Sequence, residues 1–342
     1  MANFLIDRDK KCREGLSKYL ENLPSYCFDF FVGIENNSSI LTRLNYAQDL
    51  VIFFTYLGDY IFNKPGREIT FEDLDSIKAK DIEHFLSYLS YYEHNGKVYK
   101  NGERGKARKL ASIRSFFKYN FKNDNLKTNI SEKVETPKLH SKAIIRLEID
   151  EVAKLLNEAD CPQNLTKQQT AFNKHTRSRD VAILSLFLGT GIRVSECVGI
   201  DVKDIDFKEN AFKITRKGGN QVVLYFSDEV HSALLEWLKD REILLDGKNE
   251  PALFVSLQKK RISTRAVELL VKKYSKAASP LKKISPHKLR STYGTNLYRE
   301  TGDIYVVAEV LGHKDVNTTK KHYAAMSEDI KRSVANKVKL RD

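Results

Sequence analysis

Residues 211–226 read AFKITRKGGNQVVLYF: two strand-like runs, Ala211 to Arg216 and Val222 to Phe226, around a Lys217-Gly218-Gly219-Asn220 turn. This is the pattern of a β-hairpin, set in a chain whose apolar residues otherwise recur at helical spacings of three and four. The chain is therefore predicted to be mainly α with a small β-hairpin or sheet unit. Its 342 residues leave room for two domains, each with a substantial core.

Taken in order, residues 1–37 form an N-terminal helical extension, with an amphipathic stretch from Asp9 to Leu20 and a second helix starting near Pro24. Ser38 and Ser39 supply an N-cap for a long helix with Leu41, Leu44, Ala47, Val51, Phe54 and Leu57 on its apolar stripe. Another helix starts near Ala79, and Gly96 to Gly105 reads as a basic, glycine-bearing loop. A helix from Lys106 to Phe121 turns Leu110, Ile113 and Phe117 inward and carries Lys106, Arg108, Lys109, Arg114 and Lys118 on its remaining surface. The acidic partners of an ordinary salt-bridged surface helix are missing from it, so these five residues are expected to meet DNA phosphates. Residues 38–135 thus make an all-α DNA-binding domain with one basic side, and residues 136–147 an extended basic linker.

The second domain is expected over 148–342, strongly helical from Arg177 and again after the hairpin, with helices at Glu229–Leu244, Thr264–Ala277, Lys288–Glu300, Ile304–Leu311 and Asn317–Tyr323. Ser327 caps a last helix whose apolar stripe is Ile330, Val334 and Val338, suited to docking on a neighbouring protomer or to packing on its own domain.

The net charge of +13 is concentrated: residues 97–142 hold thirteen Lys/Arg against four Asp/Glu, a net +9. Such a block is the footprint of phosphate contacts. The sequence has no apolar run long enough to span a membrane, and its charged N-terminus lacks the core of a secretory signal, so a cytoplasmic protein is expected. Cys12, Cys27, Cys161 and Cys197 show no metal-ligand spacing and are expected to be reduced thiols.

Two arginines, two histidines, a lysine and a tyrosine stand out as a set suited to a phosphodiester: Arg193 in LGTGIRVSE, Lys217 in the hairpin turn, His287 and Arg290 in HKLR, His313 in LGH, and Tyr323. No carboxylate cluster competes as a metal site. These motifs, in this order, resemble the tyrosine recombinase (phage-integrase-like) family, and RKLASIRSFFKY resembles that family's core-binding domain. The resemblance runs from about Ser38 to the C-terminus and implies a SAM-like all-α core-binding domain followed by a mixed α/β catalytic domain.

Guanidinium groups meet the non-bridging oxygens of a phosphodiester in bidentate fashion, the role expected of Arg193 and Arg290. Arg193 is also placed to pair with Glu196, three residues on, which would orient it from behind. Tyr323 is the expected nucleophile, a phenol that needs a cationic site and a base at neutral pH. His287 is the candidate base or hydrogen-bond partner, and His313 would hold the phosphate or buttress the tyrosine. Lys217, at the hairpin tip, would protonate the leaving 5′-oxygen. Arg216 is expected on the opposite face of its strand. Tyr323 falls ten residues after His313 rather than the nine usual in such relatives, which puts His322 at the ninth position and leaves its register open.

The resemblance implies a site-specific recombinase that cuts double-stranded DNA through a 3′-phosphotyrosyl link, works as a homotetramer on two duplexes and needs no metal, ATP or other cofactor, with an accessory protein as an additional partner. FNKHTRSRDVAIL, TRKGG and PHKLR are most similar to the Xer type, which resolves chromosome or plasmid dimers. Integration or excision of a mobile element is the alternative within the family, and a type IB topoisomerase or a non-catalytic DNA-binding protein the alternatives outside it.

Overall fold

The computed structural model describes residues 2–94, 96–140, 145–162, 166–216, 219–312 and 315–316. The helices expected at Asn317–Tyr323 and from Ser327 lie outside the described residues. The chain is mainly α with small antiparallel sheets, and it divides into two compact units, Ala2–Lys142 and Ala143–Asp342.

The first unit contains α1 (Ala2–Leu20), α2 (Cys27–Gly33), α3 (Ile40–Leu57), α4 (Phe71–Ser76), α5 (Ala79–Tyr88), the short hairpin β1–β2 (Tyr92–His94 and Lys97–Tyr99) and α6 (Glu103–Lys122). Ser39 caps α3, its hydroxyl accepting from the Thr42 amide at 3.1 Å. The core is rich in phenylalanine. Phe30 and Phe54 both meet Phe116 edge-on, at centroid distances of 5.4 and 5.6 Å, and Phe53 meets Phe85 at 5.1 Å. Pairs of this geometry add about 0.5–1.5 kcal/mol each beyond the area they bury. Cys12 and Leu16 of α1 and Cys27, Phe30 and Phe31 of α2 belong to the same core as α3, α5 and α6, so the first 37 residues share it rather than standing apart. The segment read as a glycine loop differs from that expectation: it forms β2, and α6 starts at Glu103, with Gly102 at its N-cap and Gly105 inside its first turn.

The second unit contains α7 (Ile149–Asp160), α8 (Lys167–Thr190), α9 (Val194–Gly199), β3 (Ile205–Asp206), β4 (Ala211–Thr215), β5 (Gln221–Tyr225), α10 (Asp228–Leu245), α11 (Thr264–Ala278), α12 (Pro286–Thr301) and α13 (Ile304–Leu311). The hairpin pairs Phe212 with Leu224 and Ile214 with Val222, and β3 adds a third antiparallel strand beside β4. Helix α8 is the spine of the unit. It buries Ala182, Ile183, Leu184, Leu186 and Phe187 and packs against α7, α10 and α12. It starts ten residues earlier than Arg177, because Thr166 and Gln169 form a capping box ahead of a polar first half that carries no apolar stripe. On α10 the buried Trp237 donates its indole N–H to the Leu253 carbonyl at 2.8 Å, fixing the loop that follows.

Candidate active site

The turn after α8 delivers Arg193. Its backbone N–H donates to Glu196 Oε2 and its Nη1 to Glu196 Oε1, both at 2.9 Å. One buried carboxylate therefore caps the start of α9 and holds the guanidinium. The Arg193 side chain is 38% exposed and that of Glu196 5%, so the charge is anchored at its inner edge and open on its outer one. The Arg193 Nη2 also donates to the carbonyls of Leu311 at 3.4 Å and Gly312 at 3.1 Å.

Helix α12 delivers the HKLR pair. Pro286 takes its first position, where a missing amide costs nothing. His287 follows in the first turn, exposed, with Arg290 less than one turn further along the same side. Arg290 is buried, donating through Nη1 to the Gly191 carbonyl and through Nη2 to the Leu311 carbonyl. Arg193 and Arg290 therefore share the Leu311 carbonyl as an acceptor, although 97 residues separate them.

What draws them together is the C-terminal end of α13. The last carbonyls of a helix lack intrahelical partners and carry the negative end of its dipole. Val310, Leu311 and Gly312 present such carbonyls to three guanidiniums, the third being Arg216, whose Nη2 donates to the Val310 carbonyl at 2.8 Å. Gly312 ends the helix at φ 60, and a Cβ there would lie 1.8 Å from Arg216 Nη1, so any side chain would have to displace that guanidinium. Val307 and Leu311 anchor the inner face of α13 against Tyr293, Leu297, Tyr298 and Ile304. Burial pushes the Tyr293 phenol up, so it is poorly suited to ionise.

Lys217, His313 and Tyr323 lie outside the described residues. Their chain neighbours do not: Arg216 and Gly219 flank the lysine, and Gly312 directly precedes the histidine. Arg216, expected on the opposite face of the strand from Lys217, is itself among the described residues. It falls after the last residue of β4, where strand alternation no longer applies, and its side chain turns toward Arg193 and α13. Among the described residues no group of three His, Cys, Asp or Glu side chains is placed to hold a metal ion, and no helix is long and apolar enough to cross a membrane.

The basic residues of α6 differ in what they touch. Arg108 forks onto Asp49 of α3 at 2.6 and 2.7 Å, and Ser112 donates to the same carboxylate at 2.7 Å. Lys109 is buried and also faces Asp49, at 3.5 Å, which departs from the solvated position expected for it. Burial lowers its pKa, with Asp49 opposing that shift. Lys106 donates to the Ser90 hydroxyl at 2.7 Å. Arg114 donates to Thr136 Oγ1 at 2.7 Å and to the Ser131 and Val134 carbonyls, tying α6 to the segment after it. Lys118 is exposed.

A model of the phage integrase family matches residues 146–329, more than half of the chain and the whole of the arginine cluster. The chain belongs to that family, the tyrosine recombinases. A tyrosine recombinase XerC of Caldanaerobacter subterraneus is 36% identical to this recombinase over 302 residues, spanning 85% of this chain and 80% of the relative. The XerC of Syntrophus aciditrophicus is 32% identical over 302 residues, spanning 87% and 91%. Among solved structures, the XerH site-specific recombinase bound to a palindromic difH substrate superposes with a TM-score of 0.64 at 21% identity, over 87% of this chain and 80% of that one. A lambda integrase dimer bound to a core site gives 0.61 at 17% identity, over 87% and 94%. At such identities these two show a shared fold.

Proposed function

We propose that this recombinase cuts and rejoins double-stranded DNA at a specific site through a 3′-phosphotyrosyl intermediate, in the Xer-like role of resolving chromosome or plasmid dimers in the cytoplasm. The observation that carries the reading is the meeting of Arg193 and Arg290 at the Leu311 carbonyl. Two guanidiniums held on one acceptor put two fixed positive charges side by side, and a phosphodiester with two non-bridging oxygens matches that pair. Attack on phosphorus raises the negative charge on those oxygens, so fixed cations lower the barrier.

In this reading the Tyr323 hydroxyl oxygen bonds to phosphorus and the bond to the 5′-oxygen breaks. His287, exposed at the start of α12, accepts or shares the phenolic proton. Lys217 gives the 5′-oxygen a proton, and His313 holds the phosphate or buttresses the tyrosine. The phosphotyrosyl bond conserves the energy of the broken ester, so a 5′-hydroxyl of the partner duplex reverses the step without ATP. The XerC relatives, similar along most of their length, support the Xer-like role. Four protomers act on two duplexes, and the basic residues of α6 that remain exposed take phosphate contacts.

The role is tested with purified protein and a supercoiled plasmid carrying two direct copies of its site. Two separate circles are expected. A single relaxed circle, formed equally on plasmids without the site, would instead indicate a topoisomerase.

A further inference from the structure

Arg216 carries more of the site's architecture than its place beside Lys217 suggests. Its backbone closes the turn that bears the lysine: the Arg216 N–H donates to the Asn220 carbonyl at 2.8 Å, and the Gly219 N–H donates to the Arg216 carbonyl at 3.1 Å. Its guanidinium leaves that turn and reaches α13, donating to the Val310 carbonyl at 2.8 Å and lying so close to Gly312 that a Cβ there would displace it. The Arg216 Nε is buried and has no hydrogen-bond partner among the described residues. Burial lowers the pKa of this guanidinium, Glu196 opposes that shift and Arg193 adds to it. Taking a guanidinium out of water in this way is costly. A shorter or neutral side chain would avoid the cost, but would leave the turn and the helix end unconnected.

We propose that Arg216 is a positioning residue of the recombination reaction, tying the base of the 216–220 turn to the C-terminal end of α13. The tie joins the turn that carries Lys217 in the sequence to the helix end on which Arg193 and Arg290 meet. The inference rests on the reading of Lys217 as the group that protonates the leaving oxygen. Arg216 acts through that lysine, so its loss slows departure of the 5′-oxygen and leaves the charge on the phosphate oxygens matched.

A leaving sulfur separates these effects, because a thiolate departs without a proton. Full-length wild type, Arg216→Ala, Arg216→Lys and Lys217→Ala are compared in single-turnover cleavage of a nicked duplex carrying the protein's site. The scissile phosphate is either ordinary or a 5′-bridging phosphorothiolate, and thermal melts report folding. Arg216→Ala is expected to cleave the ordinary duplex about 10²-fold more slowly, the low end of the range for loss of a general acid. It should recover to within a few-fold of wild type on the sulfur substrate, as should Lys217→Ala, with Arg216→Lys intermediate on the ordinary one. If Lys217→Ala is rescued and Arg216→Ala is equally slow on both substrates, or unimpaired on both, the positioning role is overturned while the lysine's stands. If Lys217→Ala is not rescued, the reading of Lys217 fails and the inference falls with it.

Discussion

Glu196 holds Arg193 twice, through its backbone amide and its guanidinium, each at 2.9 Å. The carboxylate is 5% exposed and the Arg193 side chain 38%, so the pair is desolvated on the carboxylate's side and open on the guanidinium's. Removing its charge frees the guanidinium to turn without removing the cation itself. Hydrogen bonds to charged groups are worth about 1.5–3 kcal/mol. Glu196→Gln should therefore slow single-turnover cleavage by about 10- to 100-fold with little change in DNA affinity. A binding titration on the same duplex separates the two effects.

Gly312 and Gly302 both adopt left-handed backbone, at φ 60 and φ 65, but only Gly312 has a neighbour in the way. Alanine at 302 meets nothing within 4 Å and carries only the conformational cost, about 1–2 kcal/mol. Alanine at 312 carries the same cost and must also displace Arg216. Gly312→Ala is expected to lower the Tm more than Gly302→Ala and to abolish most cleavage, whereas Gly302→Ala keeps it. Melting curves and cleavage of the two variants side by side check this.

Lys109 and Lys118 lie on the same helix in different surroundings. Lys118 is exposed, and its loss should reduce the slope of log Kd against log salt by about 0.9, the contribution of one phosphate contact. Lys109 is paired with the buried Asp49, and its loss should leave that slope unchanged while lowering the Tm. Asp49→Ala is the harsher change, since it strands Lys109 and releases Arg108 and Ser112; breaking a buried pair costs about 3–5 kcal/mol. Salt titrations of DNA binding and urea unfolding distinguish the three variants.

Glu151 anchors α7 to the residues ahead of α12. It accepts from the Glu148 amide at 2.8 Å, the Ser279 hydroxyl at 2.7 Å and the Lys282 ammonium. Burial alone would raise its pKa, but these three donors, Lys282 foremost, bring it below the ordinary carboxylate value. A depressed folded pKa gives stability that is complete above the unfolded value, about 4.3, and is lost as pH falls through the folded one. Glu151→Gln should accordingly melt below wild type at pH 7, with the gap narrowing as the pH drops from about 5 toward 3. Melting temperatures across that range give the test.

How far the sequence could be read depends on how local each determinant is. The Arg193–Glu196 contact spans three residues, and the LGTGIRVSE motif displays it. The helical stripes and the 211–226 hairpin are equally local, and among the described residues their elements are present. The partner of Arg108 and Lys109 is Asp49, 59 residues before Arg108 in another helix, so helical spacing alone leaves the basic face of α6 freer than it is. The polar first half of α8 and the two-residue β3 carry too few apolar residues for either period to register. The reach of the Arg216 guanidinium to α13 is not legible from strand alternation, because the strand ends one residue before it. The convergence of three arginines on one helix end depends on tertiary packing, since nothing in LGH indicates that its preceding carbonyls will be acceptors.

The central claim is a covalent bond between Tyr323 and a 3′-phosphate of DNA. It is measured most directly by trapping protein–DNA adducts from cells making the wild-type chain or Tyr323→Phe, then sequencing the attached ends. The account predicts wild-type adducts at one recurring sequence, joined through a 3′-phosphate and absent from Tyr323→Phe. Adducts that persist in Tyr323→Phe, or that join through a 5′-phosphate, would contradict it.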